Sequence, residues 1–223
     1  MWCAAAPASR YIACMKNLSF LALVLAFAVA VPAYLAGPVA AQPIPLSEIS
    51  RYFNSFRTAQ ADFTQINPDG SLLTGRLMIS RPGRIRFEYA PPEQTLVLAA
   101  RGSVNIFDAR SNTGPTIYPL ARTPLALILD DTINLGRDRM VTDHYEEGPT
   151  TVVVAQDPEQ PELGSLRLVF SAEPTELRQW IVTDSAGQET AVILGTLRTG
   201  VSLGSLLFNI DAELQRRGIV RDR

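Results

Sequence analysis

The sequence predicts a mainly β fold, one antiparallel sheet of ten or eleven strands with two short helical pieces. Three observations carry this reading. Apolar residues recur with a period of two through most of the chain after residue 62. The connections between these stretches are short and rich in Gly, Pro, Asn and Asp, which favours antiparallel neighbours. Two segments depart from that rhythm, one with a helical repeat and one that opens with a helix-starting pair.

Residues 1–41 stand apart. Met15-Lys16-Asn17 followed by the apolar run Leu18 to Val31 has the layout of a secretory signal peptide, and Val39 and Ala41 are small enough for the −3 and −1 positions of a cleavage site. The run holds 14 residues, short of the roughly 20 that cross a bilayer. Cys3 and Cys14 precede Met15, which would itself open a normal signal peptide. The expected organisation is a removed signal peptide at 1–41, with its true start at Met1 or Met15, and one domain at 42–223. That domain contains no cysteine, which excludes disulfides and thiolate metal sites. It is long enough to be stabilised by a single core of its own.

Within the domain, Leu46, Ile49, Phe53 and Phe56 are spaced as one stripe of an amphipathic helix with Ser47 as cap, ending near Thr58. Strands are expected at 63–66, 72–80, 84–89, 95–100 and 104–107, punctuated by Pro68-Asp69-Gly70, Arg81-Pro82-Gly83, Ala90-Pro91-Pro92 and Arg101-Gly102. In the third of these strands Ile85, Phe87 and Tyr89 share one face, and Arg84, Arg86 and Glu88 share the other. Thr123-Pro124 then suits the cap and first position of a short helix running to about Asp131. Further strands are expected at 139–141, 150–155, 165–170 and 177–183. Asp184 to Gly187 makes a hairpin turn into 189–197, a last strand at 206–210 closes the sheet, and the tail from Glu213 reads as polar and loosely held.

Composition and motif content narrow the function classes. Beyond residue 41, 18 basic residues face 22 acidic ones, which argues against nucleic-acid binding. There is no phosphate-binding Gly-rich loop, no lysine after Lys16, no Gly-x-Ser-x-Gly elbow and no metal-ligand cluster in the sequence. Asp130-Asp131 and Glu146-Glu147 are adjacent pairs whose side chains diverge in extended chain. His144 reads as a surface residue in a polar loop. The chain is therefore expected to be no enzyme and to need no cofactor. Arg76, Arg81, Arg84 and Arg86 cluster along the chain, either as a solvated strand face or, for Arg84 and Arg86, as a docking patch for an acidic partner or lipid headgroups.

A sheet of this many strands must curl or split into two layers, with helices available to fill its concave side. Either the helices fill it solidly or an apolar pocket remains. Alternation alone leaves both open.

Several motifs in one order bear on that choice: Phe63-Thr64-Gln65, Gly75 into Arg81-Pro82-Gly83-Arg84, Phe87 to Pro92, Thr123-Pro124-Leu125, Val182-x-Asp184-x-x-Gly187 and Phe208-x-Ile210. Together they resemble the periplasmic outer-membrane lipoprotein carrier proteins, the LolA type, over about residues 49–210. The resemblance implies an unclosed, strongly curved antiparallel barrel whose N-terminal helix and short helical lid cover an apolar cavity. It implies acyl-chain contacts from Leu77, Met78, Ile79, Ile85, Phe87, Leu96, Leu98, Leu125, Leu127, Ile128 and Leu129. It also implies that Arg81 holds the lid by hydrogen bonds to backbone. The expected role is that of a monomeric periplasmic chaperone that takes triacylated lipoproteins from an inner-membrane lipoprotein-releasing ABC transporter complex. Delivery would be to an outer-membrane receptor lipoprotein or to the outer membrane itself. The alternative is a periplasmic lipid- or glycolipid-binding or sensing module on the same barrel.

Overall fold

The computed structural model describes residues 42–219 apart from 109, 112 and 124; the expected signal peptide and Pro124 lie outside the described residues. Helix α1 (Leu46–Asn54) is followed by β1 (Thr58–Ile66), β2 (Leu72–Ser80), β3 (Ile85–Tyr89), β4 (Leu96–Ala100), β5 (Ser103–Phe107) and β6 (Thr116–Pro119). A 3-10 turn at 120–122 leads to α2 (Ala126–Leu129), then to β7 (Val141–Glu147), β8 (Thr150–Gln156), β9 (Ser165–Ser171), β10 (Glu176–Thr183), β11 (Glu189–Leu194) and β12 (Arg198–Thr199). A 3-10 turn at 205–208 precedes α3 (Ile210–Arg216). The described residues fall within one compact unit.

All pairings are antiparallel, in the order β6-β5-β4-β3-β2-β1-β11-β10-β9-β8-β7, with β12 added to β1. The two outermost strands, β6 and β7, do not pair with each other, so the sheet is unclosed. Its curvature is measurable. Phe87 on β3 and Trp180 on β10 stand with ring centroids 5.6 Å apart, although four strand steps separate them in the sheet order. A flat sheet would hold them about 19 Å apart, at ~4.8 Å per step.

One local device permits this curl. Gly75 pairs with Phe63 on one side and Tyr89 on the other. A Cβ there would lie 2.3 Å from the Glu88 carbonyl oxygen and 2.6 Å from the Phe63 ring. The missing side chain lets Phe63 lie edge-on to Tyr89 (5.1 Å) and Phe87 (5.8 Å).

The larger apolar cluster joins the inner face of the sheet to both early helices: Ile49 and Phe53 of α1, Leu127, Ile128 and Leu129 of α2, and Leu77, Ile85, Leu168 and Phe170 of the sheet. Helix α1 starts at Leu46 with Pro45 in the cap position and no side-chain cap, so Ser47 does not serve as one. It ends four residues earlier than the expected limit, yet Phe56 stays buried beyond it. Instead of capping, the polar residues of α1 hold the segment after α2. Ser50 Oγ accepts from the Leu135 amide (3.0 Å), and the Asn54 side chain both donates to the Ile133 carbonyl (2.8 Å) and accepts from its amide (3.0 Å).

Three sequence expectations are corrected. Residues 206–210 form no strand, because the Asn209 side chain accepts from the Ala212 amide (3.0 Å) and caps α3. Glu213 is not in a loose tail but sits 3 % exposed on that helix. His144 belongs to β7 rather than to a loop, and its Nε2 lies 2.8 Å from the Ile44 carbonyl. Strands β6 and β12 were not anticipated.

Candidate functional site

At one end of the sheet the inner face is left unfilled. The cavity there measures about 310 Å³ and is lined by Gln65, Phe87, Tyr89, Val97, Thr123, Leu125, Leu166, Trp180, Val182, Thr190 and Val192. Strand alternation explains its layering. Gln65, Tyr89 and Val182 are the last inward positions of β1, β3 and β10, and Thr190 is the first of β11, so these four form a rim. Two residues further in along each strand stand Phe63, Phe87, Trp180 and Val192, which are apolar and buried. Polar atoms gather at the mouth, and hydrocarbon lies beneath them. Val182, 43 % exposed, marks the opening.

The rim is held by a hydrogen-bond chain. Tyr89 Oη donates to Gln65 Oε1 (2.6 Å), Gln65 Nε2 donates to Asn67 Oδ1 (2.6 Å), and Asn67 Nδ2 donates to Ser71 Oγ (2.9 Å). Burial, with a smaller contribution from the Glu93 carboxylate, pushes the Tyr89 phenol up to about 12. It therefore stays neutral in any physiological medium.

The segment carrying Thr123, Leu125 and α2 forms one wall of the cavity, and its far end is fastened to the Arg81-Pro82-Gly83 turn. The Gly83 amide donates to the Leu129 carbonyl (2.8 Å), and the Arg81 amide donates to the Arg57 carbonyl (2.8 Å). Arg57 Nη1 in turn reaches the Asp131 carbonyl (2.8 Å) and carboxylate (2.5 Å). The Arg81 side chain behaves differently from the lid-holding role that the resemblance implies. It is 4 % exposed and lies 5.9 Å over the Phe56 ring, and its three guanidinium nitrogens find no hydrogen-bond partner among the described residues. Burial and the nearby Arg57 both lower its pKa, against the opposing charges of Asp131 and Asp130. The fastening here is made by backbone groups of the turn.

The residues expected along the cavity divide three ways. Phe87 and Leu125 line it. Leu77, Ile79, Ile85, Leu127, Ile128 and Leu129 belong to the same inner cluster but pack solidly between sheet and helices. Met78, Leu96 and Leu98 are corrected to the opposite face. Successive residues of a strand alternate, so Leu77 and Ile79 facing in sends Met78 out, and the pairing of Leu98 with Arg86 and of Val97 with Phe87 does the same on β4. These three pack beneath Phe208, Ile210 and Leu214 of the C-terminal segment.

Arg86 is corrected as well. It is no exposed docking group but is 4 % exposed, bonded to Glu88 (2.6 Å) and the Leu207 carbonyl (2.9 Å) and paired with Glu213 (3.4 Å). Glu213 also receives Arg216 and Arg217. Arg84 is half-buried, donating to the Ser80 carbonyl (3.1 Å) with its guanidinium 5.6 Å from the Phe208 ring. Sequence reasoning missed the apolar Val97, Leu166, Trp180 and Val192 and the mouth residues Gln65, Tyr89, Thr123, Val182 and Thr190. The signal for those on strands was the in-register alternation from Phe87, which selects every second residue on each paired strand.

Comparison with known proteins identifies the family. The family model "Outer membrane lipoprotein carrier protein LolA" matches residues 54–211. The outer-membrane lipoprotein carrier protein of Methylococcus capsulatus is 28% identical over 176 residues, covering 75% of this chain and 84% of the relative. That of Coxiella burnetii is 26% identical over 184 residues, covering 78% and 86%. A solved putative outer membrane lipoprotein-sorting protein domain from Vibrio parahaemolyticus aligns with a TM-score of 0.44 at 10% identity, covering 74% of this chain and 95% of that one. With the family model spanning most of an unclosed, helix-lined antiparallel sheet, the chain belongs to the outer-membrane lipoprotein carrier (LolA) family.

Proposed function

We propose that the protein is a periplasmic carrier that shelters the acyl chains of lipoproteins between the inner and outer membranes. The observation that carries this reading is an apolar hollow, enclosed by Phe87, Trp180, Leu125 and Val192, left open at one end of an otherwise packed inner face. Exposing one acyl chain of about 14 methylenes to water costs roughly 11 kcal/mol, at ~0.8 kcal/mol per methylene. A lipoprotein with two or three chains cannot cross an aqueous compartment without such shelter.

The hollow also sets a condition on uptake. A methylene takes about the room of a water molecule, ~30 Å³ in the liquid, so the closed cavity holds about ten. That is less than one full chain. Loading therefore requires α2 and the segment before it to swing away from the sheet, breaking the Gly83–Leu129 and Arg57–Asp131 bonds and turning Leu125, Leu127, Ile128 and Leu129 toward the cargo. The energy for loading comes from an inner-membrane lipoprotein-releasing ABC transporter complex, the partner that the family resemblance implies; the sequence itself holds no nucleotide-binding motif. Unloading is to an outer-membrane receptor lipoprotein or to the membrane itself.

The test is a clamp. Arg57→Cys and Asp131→Cys, joined by a short bis-maleimide linker, should abolish uptake of triacylated lipoprotein from inner-membrane vesicles, while the unlinked double variant retains it. Uptake undiminished by the linker would sink the reading. Mass spectrometry of the protein purified from periplasm should find triacylated lipoprotein; free phospholipid or glycolipid in its place would favour a lipid-binding module.

A further inference from the structure

The hollow ends on a crossbar. Phe87 on β3 and Trp180 on β10 reach across the curl from strands that are not neighbours and meet edge to face, with ring centroids 5.6 Å apart at an interplanar angle of 85°. Neighbours hold both rings in place. Phe63 stands edge-on to Phe87 (5.8 Å), and Trp180 is flanked in register by Val192 on β11 and Leu168 on β9. Both rings line the hollow, and neither is more than 6 % exposed.

Beneath the bar the space is taken. The next inward positions, Ile85 on β3 and Leu194 on β11, are buried and do not line the cavity, and Leu168 is fully buried beside them. All three belong to the cluster packed against α1 and α2. An interior packed this way admits an extra methylene only by displacing its neighbours. A hydrocarbon that enters past Val182 therefore runs inward until it meets the two rings.

We propose that Phe87 and Trp180 are a length stop. With the α2 segment in place, the cavity of about 310 Å³ takes about ten carbons of a chain, at ~30 Å³ per methylene, and leaves any excess in water at the mouth. The inference rests on the carrier reading and assigns two residues the length specificity of its closed state. A full acyl chain gains further shelter only as the α2 segment moves, so deep burial of a long chain and an open cover go together.

Equilibrium dialysis of uncharged 1-alkanols from hexanol to tetradecanol, each below its solubility limit, locates the stop. The protein is the Arg57→Cys, Asp131→Cys variant joined by its bis-maleimide linker, which keeps the α2 segment in place. Dissociation constants should fall about fourfold per added methylene up to about decanol and by less than about 1.5-fold per methylene beyond it. Trp180→Ala in the linked protein should carry the fourfold steps on for about three to five more methylenes, the room that an indole leaves, and the milder Trp180→Leu for about two. Val97→Phe, which projects into the hollow, should move the break to shorter alkanols. Unbroken steps past decanol in the linked parent, or a break at the same length in both Trp180 variants, would overturn the stop and leave the carrier standing. In the unlinked parent the steps should run on past decanol; a break there too would support the stop and count against the opening that the carrier needs. Failure of every alkanol to bind would overturn both.

Discussion

The two faces of the sheet solve the same problem in opposite ways. On the inner face α1 and α2 cover a broad apolar surface and leave one end unfilled, with polar atoms confined to the rim of the opening. On the outer face the 3-10 turn at 205–208 and α3 cover a smaller patch of Met78, Leu96, Leu98 and Phe107. That cover is fixed by charge: Arg86 and Glu213, both nearly inaccessible, are tied further to Glu88, Arg216 and Arg217. Both covers rest on apolar residues, and what differs besides area is how each is fastened. The inner cover is held by backbone and amide hydrogen bonds and one exposed ion pair, Arg57–Asp131; the outer cover is held by a buried ionic knot that cannot open in part without exposing a charge.

Four experiments would break or sharpen this contrast. The largest effect is expected from Arg86→Ala, which opens the buried pair, takes the partner from the Leu207 carbonyl and leaves Glu213 to the more exposed Arg216 and Arg217, and should destabilise the protein by about 3–5 kcal/mol in urea denaturation. Arg86→Met combined with Glu213→Leu should recover most of that loss. If the single variant melted like the parent, the knot would not be what fixes α3. Gly75→Ala should follow at about 3 kcal/mol, since its Cβ collides with the backbone of Glu88 and with the Phe63 ring; near-UV circular dichroism should also weaken as the Phe63–Tyr89 contact opens.

The third experiment sets adjacent residues of β4 against each other. Leu98→Phe overpacks the closed outer cluster and should cost about 1–3 kcal/mol, whereas Val97→Phe projects into the hollow and should cost under about 1 kcal/mol while reducing acyl-chain binding. Equal costs would show the two faces to be packed alike. The smallest effect is expected with acid. Burial raises the Glu213 pKa, but the Arg217 hydrogen bond and the Arg86, Arg216 and Arg217 charges outweigh it, so the group titrates below its ordinary value. The stabilisation is therefore complete above the unfolded-state pKa of about 4.3 and fades as pH falls through the lower folded-state value. Hydrogen exchange of α3 amides should accelerate in that acidic window before those of α1 do.

The inner face was largely legible in the sequence because it obeys one rule. Phe63, Ile85, Phe87 and the strands around them follow strict alternation, and the Gly and Pro turns set their direction. The outer cover was not. Residues 206–210 have the apolar character of a strand, and the competing signal, Asn209 as a cap with Asp211 and Glu213 in the first helical turn, is local and easily outvoted by that pattern. The continuous apolar run Leu77-Met78-Ile79 looked like one surface; in fact both faces of β2 are buried there. The site was half legible for the same reason. Phe87 and Leu125 could be named from their own segments, but Trp180, Leu166 and Val192 reach the cavity only through pairings across β9, β10 and β11 that no local pattern reports.

The strand curl that presses Trp180 against Phe87 has a practical consequence. Beyond residue 41 the chain carries a single tryptophan, and it stands in the cavity wall. Its emission should therefore respond to whatever enters the cavity, an intrinsic optical gauge that needs no attached dye.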